Sequence, residues 1–241
     1  ELFKKYNRRD VEVEIEVHRA FAPFRTPASL WDEYHEDQRI NDRGIPVDIP
    51  FVKAALAMGE KAGMDLLSRL KHLTGLINPK SPCQMKAWLS ANGQKADSLT
   101  KKETAKLLAS STGAVKEALM LYGQVQKSSL AKYGAMIDTV CGDGRARGMF
   151  RFYGAARSGR WAGRHIQLQN LPRNSLEDLD LARHLVMEGD YEKMDFLYGS
   201  VPDTLSQLIR TAFVARKGYT FIVSDFSSIE ARVLSYMARE K

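Results

Sequence analysis

The chain has 241 residues, 44% of them hydrophobic and 27% charged, with 36 Lys+Arg against 29 Asp+Glu for a formal charge of +7. This supports a sizeable core and excludes a disordered chain, a collagen-like repeat and a coiled-coil rod. No apolar run approaches the ~18 residues of a membrane span, and the charged start Glu1–Asp10 offers no signal-peptide core. Two cysteines, Cys83 and Cys141, make neither a disulfide framework nor a zinc site, so reduced thiols in the cytoplasm are expected. There is no initiating Met and the last residues lie inside a helical pattern, which predicts a piece of a longer protein.

In chain order, Val11, Val13, Ile15 and Val17 alternate with Glu12, Glu14 and Glu16, a period of two that predicts a strand. Ala20 to Pro27 is a connection, Leu30 to Gln38 a short helix and Asn41-Asp42-Arg43-Gly44 a turn. Asp48 caps the next helix, with Pro50 in its first turn, a stripe from Val52 through Leu66 and Leu70 to Leu73, and Gly75 at its end. Asn78-Pro79-Lys80-Ser81-Pro82 is a rigid turn whose Ser81 caps a helix running to Asn92-Gly93. Thr100 and Glu103 form a capping box for another helix. Ala114 to Val140 reads as one amphipathic helix about 40 Å long, with Val125, Ser129 and Tyr133 in its stripe.

The pattern changes after Gly142. Arg147 to Tyr153 predicts a strand followed by glycine bends. Leu176 to Gly189, Tyr191 to Tyr198 and Pro202 to Phe213 predict helices. Tyr219 to Ser224 is an apolar strand with Asp225 at its tip, and Ser227 to Arg239 a helix with Ile229, Val233, Tyr236 and Met237 inward. Most of the charge excess sits in one stretch. Between Gly142 and Arg173 there are seven arginines, no lysine and one acid, Asp143. Phe150, Phe152, Tyr153 and Trp161 are interleaved with them. Planar guanidinium forks match phosphate and stack on rings, so this stretch suits a nucleic-acid backbone, although a solvated basic loop is the plain alternative and an RNA-binding or acidic-protein-binding loop would look similar.

A carboxylate held at a strand end, as Asp225 would be, is a good ligand for a hard metal ion. Ser227 and Glu230 also fit a capping box, which would make Glu230 a helix-starting residue.

Val223 to Leu234 resembles motif A of the family A DNA polymerases, written D-Y-S-Q-I-E-L-R, and is closest to the phage and prophage-type branch. Ser158-Gly159-Arg160 followed by Gln167-Leu168-Gln169-Asn170-Leu171-Pro172 resembles the T-G-R … N-L-Q-N-I-P element. Ile209-Arg210-Thr211-Ala212-Phe213 resembles the helix before motif A, Asn78 to Pro82 a thumb element, and Ile40 to Asp48 the segment leading into the thumb. The hits lie in the family's order. Tyr6 and Asp10 fit the Y-x-x-x-D pattern that ends the family's 3′–5′ exonuclease domain. Departures are Phe226 for Tyr, Ser228 for Gln, Ser158 for Thr, Trp161 after Arg160, and His165-Ile166-Gln167 in place of the usual run.

The resemblance implies an α+β, mostly helical fold: a helical thumb, the first part of an antiparallel-sheet palm and a stub of an exonuclease domain. Its domains would be 1–20 exonuclease end, 21–48 connection, 49–141 thumb and 142–241 palm. It implies Asp225 as the first of two catalytic aspartates and a ligand of two Mg²⁺ ions, with the Phe226 carbonyl as a further ligand. Glu230 would be the steric gate against a ribose 2′-hydroxyl. Arg157, Arg160, Arg164, Gln169, Asn170 and Arg210 would contact DNA, and Tyr6 with Asp10 would be an exonuclease remnant. The partners implied are primer–template DNA and dNTP, with no membrane and no obligate protein partner, in a bacterial host's cytoplasm. The chain shows neither the fingers helix nor the second catalytic aspartate, so it is expected to bind duplex DNA without polymerising. A non-catalytic DNA clamp, a single-subunit RNA polymerase relative and an exonuclease remain alternatives.

Overall fold

Asp48 accepts a hydrogen bond from the Phe51 backbone N–H at 3.1 Å, and Gly75 closes the same helix at φ 67°, so the cap and stop expected from the sequence both form. Between them runs a helix of 26 residues, about 39 Å long. The computed structural model describes residues 1–127 and 130–240. Its helices are α1 (Leu2–Phe21), α2 (Ala28–Arg43), α3 (Ile49–Thr74), α4 (Pro82–Ala91), α5 (Lys101–Ser110), α6 (Gly113–Val125), α7 (Ala131–Thr139), α8 (Leu179–Glu188), α9 (Tyr191–Tyr198), α10 (Val201–Leu208) and α11 (Ile229–Met237). Its strands are β1 (Ile45–Pro46), β2 (Arg145–Ala146), β3 (Phe150–Ala155) and β4 (Arg160–Gly163), and 3₁₀ turns cover Leu168–Asn170 and Ile209–Ala212. The fold is mostly helical with small antiparallel pairings, as the expected α+β class requires. No described helix is long and apolar enough to cross a membrane.

The chain divides into two compact units, Glu1–Gly44 with Gly134–Leu171, and Ile45–Tyr133 with Pro172–Lys241. In the first unit, the strand expected at Val11–Val17 is instead part of α1, none of whose residues is buried. An isolated strand leaves its N–H and C=O groups unpaired, whereas a helix pairs them internally, and the three glutamates favour helix. α2 runs past the expected end at Gln38 through Arg43 and stops at Gly44, φ 58°. A Cβ at Gly44 would meet the Ala146 carbonyl, which makes glycine necessary there.

Strands β3 and β4 form an antiparallel hairpin, with Phe150 opposite Gly163 and Ala155 opposite Arg160 and an irregularity between Arg151 and Ala155. α2 packs on β3. The Asn41 amide is the main link: its Nδ2 donates to the Phe150 carbonyl at 3.2 Å and its Oδ1 accepts from the Phe150 N–H at 2.9 Å, as an added strand would.

In the second unit, α3 is the spine. Its C-terminal half packs Leu66 and Leu70 against Met85 and Leu89 of α4, Leu107 of α5 and Leu119 of α6. Its N-terminal half, with Phe51, Val52 and Ala55 fully buried, meets α8 and α10. The Tyr133 hydroxyl, buried, donates to the Leu205 carbonyl at 2.7 Å. The helix expected over Ala114–Val140 is two helices, since α6 ends at Val125; Ser129 of its stripe lies outside the described residues. Thr100 makes no side-chain cap, and Glu103 pairs with Lys106 at 3.1 Å instead. The helix expected to reach Phe213 tightens into the 3₁₀ turn after Leu208.

The strand expected at Tyr219–Ser224 does not form. Residues 219–226 make no strand ladder among the described residues, and Ile222 and Val223 are 91% and 92% exposed. A strand needs a neighbour to take its backbone hydrogen bonds, and here none is supplied. α11 likewise presents Ile229, Val233, Tyr236 and Met237 outward, not inward as expected.

Candidate functional site: a basic hairpin and an acidic tip

The hairpin is built by close approach at three glycines. Gly154 faces Ala162 across the strands, Gly159 lies under the Tyr153 ring, and Gly163 leaves room for the Gln169 amide, so any Cβ at these positions would collide. Tyr153 and Gln169 thereby pack directly on the hairpin glycines, Arg160 opens β4, and Asn170 donates to Gln167 Oε1 at 3.3 Å. Tyr153, His165 and Gln167 adopt left-handed backbone at φ 50°, 51° and 54°. Such conformations cost energy in non-glycine residues and cluster where a fold holds a functional surface.

The arginines of this stretch divide into two sets. Arg145 donates to the carbonyls of Arg43 at 2.6 Å and Gly44 at 2.9 Å, and Arg147 donates to the Asp42 carbonyl at 2.7 Å. Both satisfy the open C-terminal carbonyls of α2. Arg147 also forks onto both Asp143 oxygens at 2.7 Å, which holds that carboxyl down at about 2. These two arginines are structural. Arg151, Arg157, Arg160 and Arg164 are exposed on or beside the hairpin.

In the second unit, Arg210 sits on the 3₁₀ turn and donates through Nε to the Pro172 carbonyl at 2.8 Å. That turn is anchored by Arg183 of α8, a residue the sequence did not single out. Arg183 donates to the Thr211 carbonyl at 2.7 Å, pairs with Asp48 and lies 4.0 Å over the Phe51 ring. Asp48 donates its backbone N–H to the Ala212 carbonyl at 2.8 Å, and Val47 bridges Phe213. One arginine thus ties the start of α3 to the segment that leads into Asp225.

Asp225 and Phe226 are exposed in the irregular segment before α11, and a left-handed Ser228, φ 53°, turns the chain into that helix. The helix starts at Ile229, so Glu230 stands in its first turn and Ser227 makes no cap; its carbonyl accepts from Arg232 Nε at 2.8 Å. The Asp225 carboxylate and Phe226 carbonyl are oxygen donors of the type Mg²⁺ prefers. No group of three or more metal-ligating side chains gathers among the described residues. Tyr6 and Asp10 lie four residues apart on one face of α1, both exposed. Cys83 and Cys141 are free thiols, both exposed.

Comparison with known proteins assigns the family. The model of DNA polymerase family A matches residues 57–241. The chain is 46% identical to a DNA polymerase of Bacillus phage SP02 over 242 aligned positions, covering all of this chain and 37% of that polymerase. Its fold is similar to the POL domain of Pol1 from M. smegmatis, solved in complex with DNA primer-template and dNTP, at a TM-score of 0.56 and 20% identity over 82% of this chain and 31% of that one. With the family match running through the hairpin, the Arg210 turn and Asp225, this chain belongs to DNA polymerase family A.

Proposed function

We propose that the chain is the primer–template-gripping part of a DNA-directed DNA polymerase and carries the first of its catalytic carboxylates. In this assignment residues 1–20 end an exonuclease domain, 21–48 connect, 49–141 form the thumb and 142–241 begin the palm. The observation that carries it is the family match over residues 57–241, which includes Asp225 and the basic hairpin.

The reaction is transfer of a deoxynucleoside monophosphate to a primer 3′ end. Asp225 and the Phe226 carbonyl would hold Mg²⁺, which when bound would neutralise triphosphate charge and lower the pKa of the primer hydroxyl. Glu230, in the first turn of α11, would occupy the space of a ribose 2′-hydroxyl. Arg157, Arg160 and Arg164 would hold phosphates, and Arg210 would do so beside its bond to Pro172. The Gln169 and Asn170 amides would reach minor-groove acceptors, which every base pair presents, and so follow duplex geometry without reading sequence. One carboxylate cannot position two divalent ions, so the chain of 241 residues binds DNA without extending it.

Two measurements test this. Fluorescence anisotropy of a labelled primer–template should show binding by this chain that weakens as salt rises, while primer extension with dNTPs and Mg²⁺ stays at background. Absence of binding at low salt, or extension surviving contaminant controls, would overturn it. In a polymerase carrying this segment, Asp225→Asn should abolish turnover while leaving DNA affinity within about twofold; unchanged turnover would favour a clamp.

A further inference from the structure

Duplex binding leaves most of one cleft in the first unit unused. A cleft of about 450 Å³ opens between α2 and the hairpin, with Tyr34, Phe150, Phe152, Arg151 and Arg164 in its lining. Asp37 also lines it and is 2% exposed. Its Oδ2 accepts from Gln38 at 3.0 Å and Asn41 at 3.1 Å, while its Oδ1 has no hydrogen-bond partner among the described residues. A buried acceptor without a donor is costly, and it points to a donor supplied from outside the chain.

The rings beside the cleft are not closed into a core. Trp31 meets Tyr34 edge-on at 5.8 Å, Tyr34 meets Phe152 at 5.6 Å and Phe152 meets Trp161 at 6.4 Å, yet Trp31, Tyr34 and Trp161 keep 50%, 37% and 37% of their surface open. Asp42 lines the cleft as well, beside Arg147, so the cleft carries an acid with its arginines; two other acids of this unit are paired. Glu36 is held by Arg39 at 2.6 Å, and Asp143 by Arg147. Open aromatic faces, unspent arginines and one orphan acceptor match the three parts of an unpaired nucleotide: a base to stack, a phosphate to neutralise and an amino group to donate.

We propose that this cleft holds an unpaired nucleotide of single-stranded DNA, its base against Tyr34 and Phe152, its phosphate on Arg151 and Arg164, and its exocyclic amino group donating to Asp37. A duplex, whose bases are already stacked and paired, cannot use it. The site shares Arg164 with the proposed duplex contacts but differs from them in Tyr34, Phe152, Arg151 and Asp37, and it stands whether or not the chain belongs to an active polymerase.

The test uses the whole 241-residue chain with fluorescent oligo(dC), an abasic oligonucleotide of the same length and charge, and a blunt duplex. Oligo(dC) should bind at least about fivefold more tightly than the abasic strand, since stacking on an aromatic ring is worth that factor or more. Tyr34→Ala should remove the difference and Tyr34→Phe should keep it, with circular dichroism checking the fold of both. Equal binding of oligo(dC) and the abasic strand to the native chain overturns the proposal without any variant, because it shows that charge alone is read. Competition by polyglutamate's acidic chain against the cleft, leaving no preference for bases, overturns it also. The duplex arm separates the two ideas: duplex bound with no base preference sinks this site alone, and base preference with no duplex binding sinks the proposed function alone.

Discussion

Asp143 shows how one exposed residue can carry a readable signature. Its carboxyl is pulled down to about 2 chiefly by the two hydrogen bonds from Arg147, with the Arg145 N–H adding to them. An unfolded aspartate titrates near ~4. Because the folded value is the lower one, whatever stability the pair contributes is present above about pH 4 and lost as pH falls through about 2. NMR titration of the carboxyl should therefore find a midpoint near 2 in the native chain and a return toward ~4 in Arg147→Ala. An unshifted native midpoint would mean that the fork does not persist in solution. The sequence showed Asp143 as the one acid among seven arginines but gave no means of telling Arg145 and Arg147 from the rest. Their partners are backbone carbonyls of Asp42, Arg43 and Gly44, about a hundred positions away, and no spacing rule reports a bond to a backbone atom.

At the scale of elements, what was legible depended on whether an element satisfies itself. Helices α3, α4 and α9 follow their caps and stripes, because capping and i,i+4 packing are local. Residues 11–17 and 219–224 both read as strands and neither is one. A strand is completed by a partner, and among the described residues neither run has one. α1 resolved this by coiling into a helix, whereas the Tyr219–Ser224 run, with Phe221, Ile222 and Val223 in succession and no helical periodicity, forms no regular element. Arg183 was missed for a related reason: on α8 it looks like any helix-surface cation, and only the fold brings it to Asp48, Phe51 and Thr211. It is also the most telling stability probe in the second unit. The pair is about three-quarters removed from solvent, at 23% and 25% side-chain exposure, which puts it between a surface pair and a buried one. Arg183→Ala should cost about 2 kcal/mol in urea denaturation, and Arg183→Lys should recover less than half of that, because an ammonium can neither fork between Asp48 and Thr211 nor lie flat on a ring. Full recovery by lysine would reduce the contact to simple charge attraction.

Across the whole chain, the +7 charge is an incomplete guide to how it holds nucleic acid. Counterion release is proportional to the phosphates actually neutralised, not to net charge. If all seven arginines between Gly142 and Arg173 reached phosphates, the logarithm of affinity would fall with the logarithm of salt at a slope of about −6. Arg145 and Arg147, however, are spent on the end of α2, and Arg147 is further neutralised by Asp143. The four arginines proposed to hold duplex phosphates, Arg157, Arg160, Arg164 and Arg210, predict a slope of about −3 to −4 for primer–template between roughly 50 and 250 mM salt. Arg157→Ala with Arg164→Ala should flatten it by about 2, whereas Arg145→Ala should leave the slope alone and lower the melting temperature of the free chain. A slope near −1 would take the basic hairpin off the DNA. A slope near −6, flattened by Arg145→Ala, would mean instead that α2 surrenders its two capping arginines when the chain binds, making the C-terminal turn of that helix the price of the grip.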